Sequence, residues 1–197
     1  ALSQFIQKRM NFPDYVTPVL VGYSSGATLV YATIVQAPST TFRGAVSLGF
    51  CPDLAVTKPF CRGSGLELTP EPKGKGFNFL PAPRLEVPWI VLQGNVDQVC
   101  DPRATAAFVA QVPSGKLFAL PKVGHGFAVQ KNWLPQFKQA FDELAAHKEE
   151  NQPPPRSDEL KDLPLLELPA GGPAADALVV FVTGDGGYGV TDKGVCT

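Results

Sequence analysis

Short apolar runs that alternate with helical segments are the feature that most constrains the fold of this chain. The runs are predominantly apolar, with no inside-to-outside alternation, and lie at residues 17–22, 45–50, 89–93 and 116–120. Segments with helical spacing or helix start signals lie between and beside them, at residues 2–10, 25–37, 103–112 and 133–147. Continuous apolar strands are typical of a parallel sheet, because helices cover it on both faces. The sequence therefore predicts an α/β fold with a mostly parallel sheet and helices on both faces.

The charge and hydropathy of the chain exclude two classes of protein. With 17 Lys and Arg against 18 Asp and Glu, the formal charge is −1, so we expect no nucleic-acid partner. The uncharged apolar runs are shorter than the roughly 18–20 residues that cross a bilayer, so we expect no transmembrane span. The hydrophobic fraction of 44% is enough for a buried core. Ala1 follows neither an initiator Met nor a signal segment, which indicates a mature or excised product.

A change of composition after His147 predicts the domain organisation. Residues 1–147 form the α/β domain, and residues 148–162 (KEENQPPPRSDELKD) form an extended linker. Residues 163–168 and 177–183 then predict two strands joined by a Gly-rich turn, followed by a glycine-rich loop. Residues 163–197 either begin a second unit or form a hairpin that completes the first sheet, with residues 177–183 parallel to residues 17–22.

The four cysteines predict a disulfide bond rather than a metal site. None is part of a CxxC pair and no His stands at ligand spacing, so we expect no bound metal. Cys51 and Cys61 bracket a short segment rich in turn-forming residues, which favours a Cys51–Cys61 disulfide and an oxidising compartment over two buried free thiols. Cys100 and Cys196 have no assigned partner.

The segment Gly22-Tyr23-Ser24-Ser25-Gly26 fits the pattern G-x-S-x-G between a predicted strand and a predicted helix. In that context a sharp turn exposes the Ser24 hydroxyl as a nucleophile, and small residues at both ends prevent collisions with the strand and the helix. The alternative is an ordinary turn in which Ser24 or Ser25 caps the helix.

A serine nucleophile needs a base, and a histidine is the usual one at neutral pH. His125 follows a predicted strand and is flanked by glycines, whereas His147 lies at the polar end of the last helix. Asp97 follows the strand at residues 89–93 and is the predicted acid; its rival Asp101 precedes Pro102 and suits a helix cap. The order Ser24, Asp97, His125 matches the nucleophile–acid–histidine order of α/β-hydrolases.

Four segments resemble the VirJ/AcvB proteins of bacterial virulence and type IV secretion. They are GYSSGATLVY, VLQGNVDQVCDP, KVGHGF and LPLLELPA with LVVFVTGDGGYG. The resemblance implies an α/β-hydrolase domain in the periplasm that hydrolyses aminoacylated phosphatidylglycerol, the lysyl ester in particular. It implies Ser24 as nucleophile, Asp97 as acid and His125 as base. In the family the glycine-rich loop precedes the nucleophile, whereas here it follows the histidine, so we expect the α/β domain to be incomplete on its N-terminal side.

These observations predict a serine hydrolase that acts on an ester through an acyl-enzyme without a cofactor. The Ser25 backbone N–H is the predicted first oxyanion donor. The second is expected from the glycine-rich loop, at Gly186 and Gly187, or from the missing front of the domain. Residues 62–83 are where a substrate-facing lid is expected. The alternative function is a non-catalytic periplasmic binding or scaffolding component of a secretion system, with secretion proteins as partners.

Overall fold

A computed structural model describes residues 2–56, 65–72, 76–147, 166, 168, 178–183, 189–190 and 193–194. The elements in chain order are α1 (Leu2–Arg9), β1 (Val19–Tyr23), α2 (Ser25–Gln36), β2 (Gly44–Leu48), β3 (Asp53–Leu54), β4 (Leu68–Pro70), β5 (Phe77–Phe79), β6 (Trp89–Gly94), α3 (Pro102–Val109), β7 (Gly115–Leu120), a 3₁₀ turn (Gln130–Asn132), α4 (Leu134–Ala145) and β8 (Val179–Val182). In these ranges no helix combines the length and the apolar character that a membrane span requires.

The centre of the molecule is a five-stranded sheet in the order β7-β6-β2-β1-β8. All four pairings of neighbouring strands are parallel. The carboxyl ends of all five strands therefore lie along one edge of the sheet, where side chains from different loops meet. This confirms the predicted α/β fold.

Alternate residues of each strand supply two separate cores. In β1, Val19 and Val21 face a core that includes Trp133 ahead of α4, whereas Leu20 faces a core that includes Tyr31 of α2. Both cores are rich in large buried side chains, among them Trp89, Phe108, Phe137 and Leu144. Burial on both faces explains why the strands are continuously apolar in sequence, and it confirms the expectation of helices on both faces.

A second, smaller sheet was not foreseen from the sequence. It has three antiparallel strands in the order β3-β5-β4, and each strand is only two or three residues long. Such short strands show no usable periodicity among the Gly and Pro residues of this segment. Phe79 of β5 is buried in the core that contains Tyr31, and the Tyr31 hydroxyl bonds to the backbone of Leu80 and Ala82. This part of residues 62–83 therefore packs on the domain, and its role as a lid stays a prediction.

The last strand returns to the main sheet. β8 pairs with β1 in parallel, with Val19 opposite Val179 and Gly22 opposite Val182. Of the two alternatives for this part of the chain, the structure shows the one in which residues 177–183 pair in parallel with residues 17–22. Of the other predicted strand, at 163–168, only Leu166 and Leu168 are described, and both are exposed and outside any strand. The linker at 148–162 lies outside the described residues, and the division into domains stays a prediction.

The predicted Cys51–Cys61 disulfide is wrong, because Cys51 is bonded to Cys100, with the two Cα atoms 4.9 Å apart. The physical reason is the sheet order: β2 and β6 are parallel neighbours, so the loops that follow their carboxyl ends emerge side by side. One loop carries Cys51 and the other carries Cys100, 49 positions further along the chain. Cys61 and Cys196 lie outside the described residues.

Candidate active site

Ser24 occupies a strained turn between β1 and α2. Its backbone angles are φ 55° and ψ −126°, in the region of positive φ that residues other than glycine rarely adopt. The surrounding sheet holds the turn, since the Ser24 N–H donates to the Leu48 carbonyl at the end of β2. The turn is the sharp strand-to-helix connection that the G-x-S-x-G pattern predicts.

Both glycines of the pattern are required by close backbone contacts. A Cβ on Gly22 would collide with the Gly26 carbonyl and would lie 2.6 Å from a Val30 methyl. A Cβ on Gly26 would lie 2.5 Å from the Val182 carbonyl oxygen and 2.7 Å from that of Thr183. The collision with helix α2 at Gly22 and with the end of strand β8 at Gly26 confirms the reason given for these glycines.

His125 links the serine to a carboxylate. The loop after β7 places its Nε2 2.9 Å from Ser24 Oγ, and its Nδ1 lies 2.9 Å from an Asp97 oxygen, Oδ2. The His125 side chain keeps 16% of its surface exposed, whereas that of Asp97 is fully buried. In the His125 tautomer that fits these two hydrogen bonds, Nδ1–H donates to the carboxylate and Nε2 accepts from the hydroxyl.

The buried Asp97 carboxylate is held by three further donors. Its Oδ1 accepts from the backbone N–H of Val99 at 2.8 Å and of Cys100 at 3.0 Å. Its Oδ2 accepts from the side-chain Nε2 of Gln93 at 3.0 Å. These hydrogen bonds replace the water that burial removes and fix the carboxylate in one orientation.

Two aromatic residues hold the histidine loop, one next to the nucleophile and one just before α4. The Tyr23 hydroxyl donates to the His125 carbonyl at 3.1 Å, and the two ring centroids are 5.7 Å apart. Trp133, fully buried, donates its Nε1–H to the Phe127 carbonyl at 2.8 Å. Phe127 has a positive φ of 46°, so this bond holds the turn just after His125.

The structure thus brings Ser24, Asp97 and His125 into one hydrogen-bonded line, while their catalytic roles stay a proposal. Asp101 instead caps α3 by accepting from the Arg103 N–H at 2.9 Å. His147 is exposed just beyond α4.

The predicted oxyanion donors are only partly described. Ser25 is the first residue of α2, and Gly186 and Gly187 lie outside the described residues. Thr183, just before the glycine-rich loop, approaches Gly26, so β8 leads the chain toward the nucleophile turn.

Sequence reasoning missed Gln93 and Tyr23 as residues of this site. Gln93 is a polar residue at the end of an apolar strand, and its side chain is buried. That contrast is a usable signal, because a buried amide requires partners. Tyr23 gave no signal of its own, because it occupies a variable position of the pattern.

One group of side chains in the described residues has the composition of a metal site. Ligand atoms of Asp97, Cys100 and His125 lie within 4.8 Å of one another. The sulfur is part of the disulfide and so is no thiolate, and His125 Nδ1 is bonded to Asp97. The donor set therefore does not fit a metal ion while the disulfide is intact.

A cavity of about 520 Å³ lies away from these residues. It is lined by the end of α2, including Ile34, and by residues that precede β6, including Arg84 and Glu86. None of the residues that line it belongs to the Ser24 site.

Comparison with known proteins identifies the fold of the chain, through solved structures. No family model and no curated protein matches the chain. Among solved structures, BpoC from Mycobacterium tuberculosis, provisionally described as a non-heme bromoperoxidase, is 16% identical with a TM-score of 0.50, and the match covers 72% of this chain and 71% of that one. A monoacylglycerol lipase from Paleococcus ferrophilus is 14% identical, with a TM-score of 0.47 and coverage of 75% and 74%. The esterase domain of a Rhodothermus marinus protein is 14% identical, with a TM-score of 0.44 and coverage of 67% of this chain and 60% of that domain.

Sheet order, nucleophile turn and structural likeness together define the class. The chain has the α/β-hydrolase fold. It spans 60% of the Rhodothermus marinus esterase domain. Because folds of this type host many functions, the activity has to be argued from the site.

Proposed function

We propose that this chain is a serine hydrolase that cleaves an ester through an acyl-enzyme. The observation that supports it is the pair of hydrogen bonds at His125, 2.9 Å to Ser24 and 2.9 Å to Asp97. A nucleophile, a base and a group that orients the base are the three parts that acyl transfer by serine needs.

The proposed reaction has two halves. Ser24 Oγ attacks the ester carbonyl while His125 Nε2 takes the hydroxyl proton, and the imidazolium is stabilised by Asp97. The same proton then passes to the leaving alcohol as the C–O bond breaks, and the acyl group stays on Ser24. A water molecule, deprotonated by His125, then attacks the acyl carbonyl. The bond to Ser24 Oγ breaks, His125 returns the proton to that oxygen, and the acid is released.

The negative charge on the carbonyl oxygen develops near the start of α2. The Ser25 backbone N–H is the proposed first donor, and the positive end of the α2 dipole favours the same charge. Gly186 and Gly187 are proposed for the second donor. Support comes from the path of β8, since Thr183 comes close to Gly26 just before the glycine-rich loop.

The two histidines offer a matched test of this proposal. With p-nitrophenyl acetate as substrate, we expect His125→Ala to lower kcat by at least about a thousandfold. His147→Ala, at an exposed position outside the site, should retain the activity of the parent protein. Equal activity of the parent and His125→Ala would refute the proposal and favour the binding or scaffolding alternative.

We further propose that the natural ester is an aminoacylated phosphatidylglycerol such as lysyl-phosphatidylglycerol, hydrolysed in the periplasm in connection with virulence and type IV secretion. Support for the lipid, for virulence and for secretion partners comes from the resemblance of four segments to VirJ/AcvB proteins. The Cys51–Cys100 disulfide supports an oxidising compartment such as the periplasm.

Vesicles that contain lysyl-phosphatidylglycerol test the substrate separately from the chemistry. We expect release of free lysine by the parent protein and none by Ser24→Ala. Hydrolysis of p-nitrophenyl acetate without lysine release would refute the aminoacylated lipid and leave the serine hydrolase standing.

A further inference from the structure

We propose that the Cys51–Cys100 disulfide positions the Asp97 carboxylate, so that the rate of acyl-enzyme formation depends on an intact bridge. The inference rests on the proposed serine hydrolase and adds to it two residues that act through Asp97. Neither cysteine contacts the reacting atoms, so both are positioning residues.

The first support is the direct hydrogen bonding between Cys100 and the acid. The Cys100 N–H donates to Asp97 Oδ1 at 3.0 Å. The Cys100 carbonyl accepts from Gln93 Nε2 at 3.2 Å, and that same amide group donates to Asp97 Oδ2 at 3.0 Å. Cys100 is therefore bonded directly to Oδ1 and linked through Gln93 to Oδ2, so a displacement of its backbone should disturb the carboxylate.

The second support is the firm anchor at the other end of the bridge. The Cys51 carbonyl accepts from the Thr28 hydroxyl of α2, the helix that begins after the nucleophile, at 2.8 Å. The preceding residue, Phe50, is fully buried and its carbonyl accepts from Thr105 at 2.7 Å. Gly49, which precedes Phe50 in the same loop, lies against the His125 ring. The bridge therefore ties the acid loop to a segment that bonds to α2 and lies against the His125 ring.

The third support is the exposure of the acid loop itself. Val96 and Val99 have 54% and 68% of their surface exposed, while Cys100 between the loop and α3 is buried with 2% exposed. Backbone bonds to β7 and the loop after it hold the first part of the acid loop, at Asn95 and Val96. The part that donates to Asp97 Oδ1, Val99 and Cys100, is held by the disulfide, by the Gln93 side chain and by the start of α3. Cleavage of the bridge removes the covalent one of these restraints and should increase the motion of Val99 and Cys100.

A carboxylate that no longer holds one orientation leaves the imidazole poorly aligned with the serine. Misplacement of a catalytic group by about 1 Å costs up to about 100-fold in rate. We therefore expect reduction of the bridge to slow acylation of Ser24 by about 10- to 100-fold, with the effect on kcat and little effect on KM.

The experiment uses a fluorophosphonate probe, whose serine adduct forms as fluoride leaves. All samples carry Cys61→Ser and Cys196→Ser, so that only the Cys51–Cys100 bridge responds to dithiothreitol. Labelling of Ser24 is followed by intact mass, with and without dithiothreitol, at a temperature where far-UV circular dichroism shows both forms folded. Reoxidation should restore the original rate, and the untreated Cys51→Ala/Cys100→Ala variant should match the reduced protein. Equal labelling rates in the oxidised and reduced forms would overturn the inference while the hydrolase proposal stands.

A second variant separates positioning of the acid from general loosening of the fold. In Asp97→Asn the orienting charge is already lost, so reduction should change the labelling rate less than twofold, because effects that act through one residue do not add. If reduction slows Asp97→Asn by the same factor as the parent, the bridge acts elsewhere and the inference is overturned. Absence of labelling in the oxidised parent protein would overturn both this inference and the proposed function.

Discussion

Removal of the buried Tyr31 hydroxyl should change how the free energy of unfolding depends on pH. Tyr31 is fully buried, and its hydroxyl donates to the Leu80 carbonyl at 2.9 Å and accepts from the Ala82 N–H at 2.8 Å. Its ring packs against those of Trp89 and Phe108, with centroids 4.8 Å and 5.1 Å away. Tyr31→Phe keeps the ring contacts and removes both hydrogen bonds.

At neutral pH the variant should be less stable by about 2 kcal/mol, because the Leu80 carbonyl and the buried Ala82 N–H each lose a partner. At high pH the hydroxyl has the opposite effect, because its ionisation destabilises the folded parent protein. Burial raises the pKa of Tyr31 from 10.0 to about 12, with the Ala82 N–H offsetting part of the increase. The fold therefore favours the neutral phenol, and that stabilisation is present below pH 10 and lost as the pH rises toward 12.

The size of the loss follows from the pKa. One pKa unit corresponds to about 1.4 kcal/mol. Ionisation of Tyr31 therefore lowers the free energy of unfolding of the parent protein by about 3 kcal/mol in all, of which about 2 kcal/mol is lost by pH 11.5. Tyr31→Phe has no such group. The difference in stability between parent and variant should therefore shrink from about 2 kcal/mol at pH 8 to nearly zero at pH 11.5.

Urea unfolding of both proteins at a series of pH values, monitored by far-UV circular dichroism, measures this difference. Comparison with the variant at each pH cancels the titration of every other group. A difference that stays constant from pH 8 to pH 11.5 would refute the reasoning, since it would mean that burial does not disfavour the phenolate.

Three further predictions follow from the nucleophile turn, the disulfide and the acid. Gly26→Ala should lower stability by at least about 2 kcal/mol in urea unfolding, because its Cβ meets two carbonyl oxygens, whereas Gly126→Ala meets nothing within 4 Å and should be nearly neutral. Reduction of the disulfide, which joins cysteines 49 positions apart, should destabilise the fold by about 4 kcal/mol, and peptide mapping should recover the Cys51–Cys100 pair. Asp97→Asn should lower kcat about 10³- to 10⁴-fold, whereas Asp101→Asn, at a helix cap, should leave kcat unchanged.

Much of the site could be predicted because its residues follow elements with strong local patterns. Ser24 stands between an apolar strand and a long helix, and His125 and Asp97 each follow the end of another strand. Parallel strands bring such positions to one edge of the sheet, so the sequence alone was sufficient to group them. The sequence offers the pairing of β8 with β1 as one of two alternatives, because an apolar segment and an open strand edge each require a partner.

The remaining features depend on contacts that sequence distance hides. The Cys51–Cys100 bridge joins loops that adjoin only because β2 and β6 are neighbours, whereas the sequence favours Cys61, which is nearer to Cys51 along the chain. The three donors that hold Asp97, from the Gln93 side chain and two backbone N–H groups, depend on the path of one loop. The small antiparallel sheet has strands too short for a periodic pattern.

Intact-mass analysis after exposure to a fluorophosphonate tests the central claim most directly. The proposed site predicts one adduct per chain, located on Ser24 by peptide sequencing, with labelling abolished in Ser24→Ala and strongly slowed in His125→Ala. A folded parent protein that takes up no adduct, or takes it up on a residue other than Ser24, would contradict the assignment of this chain as a serine hydrolase.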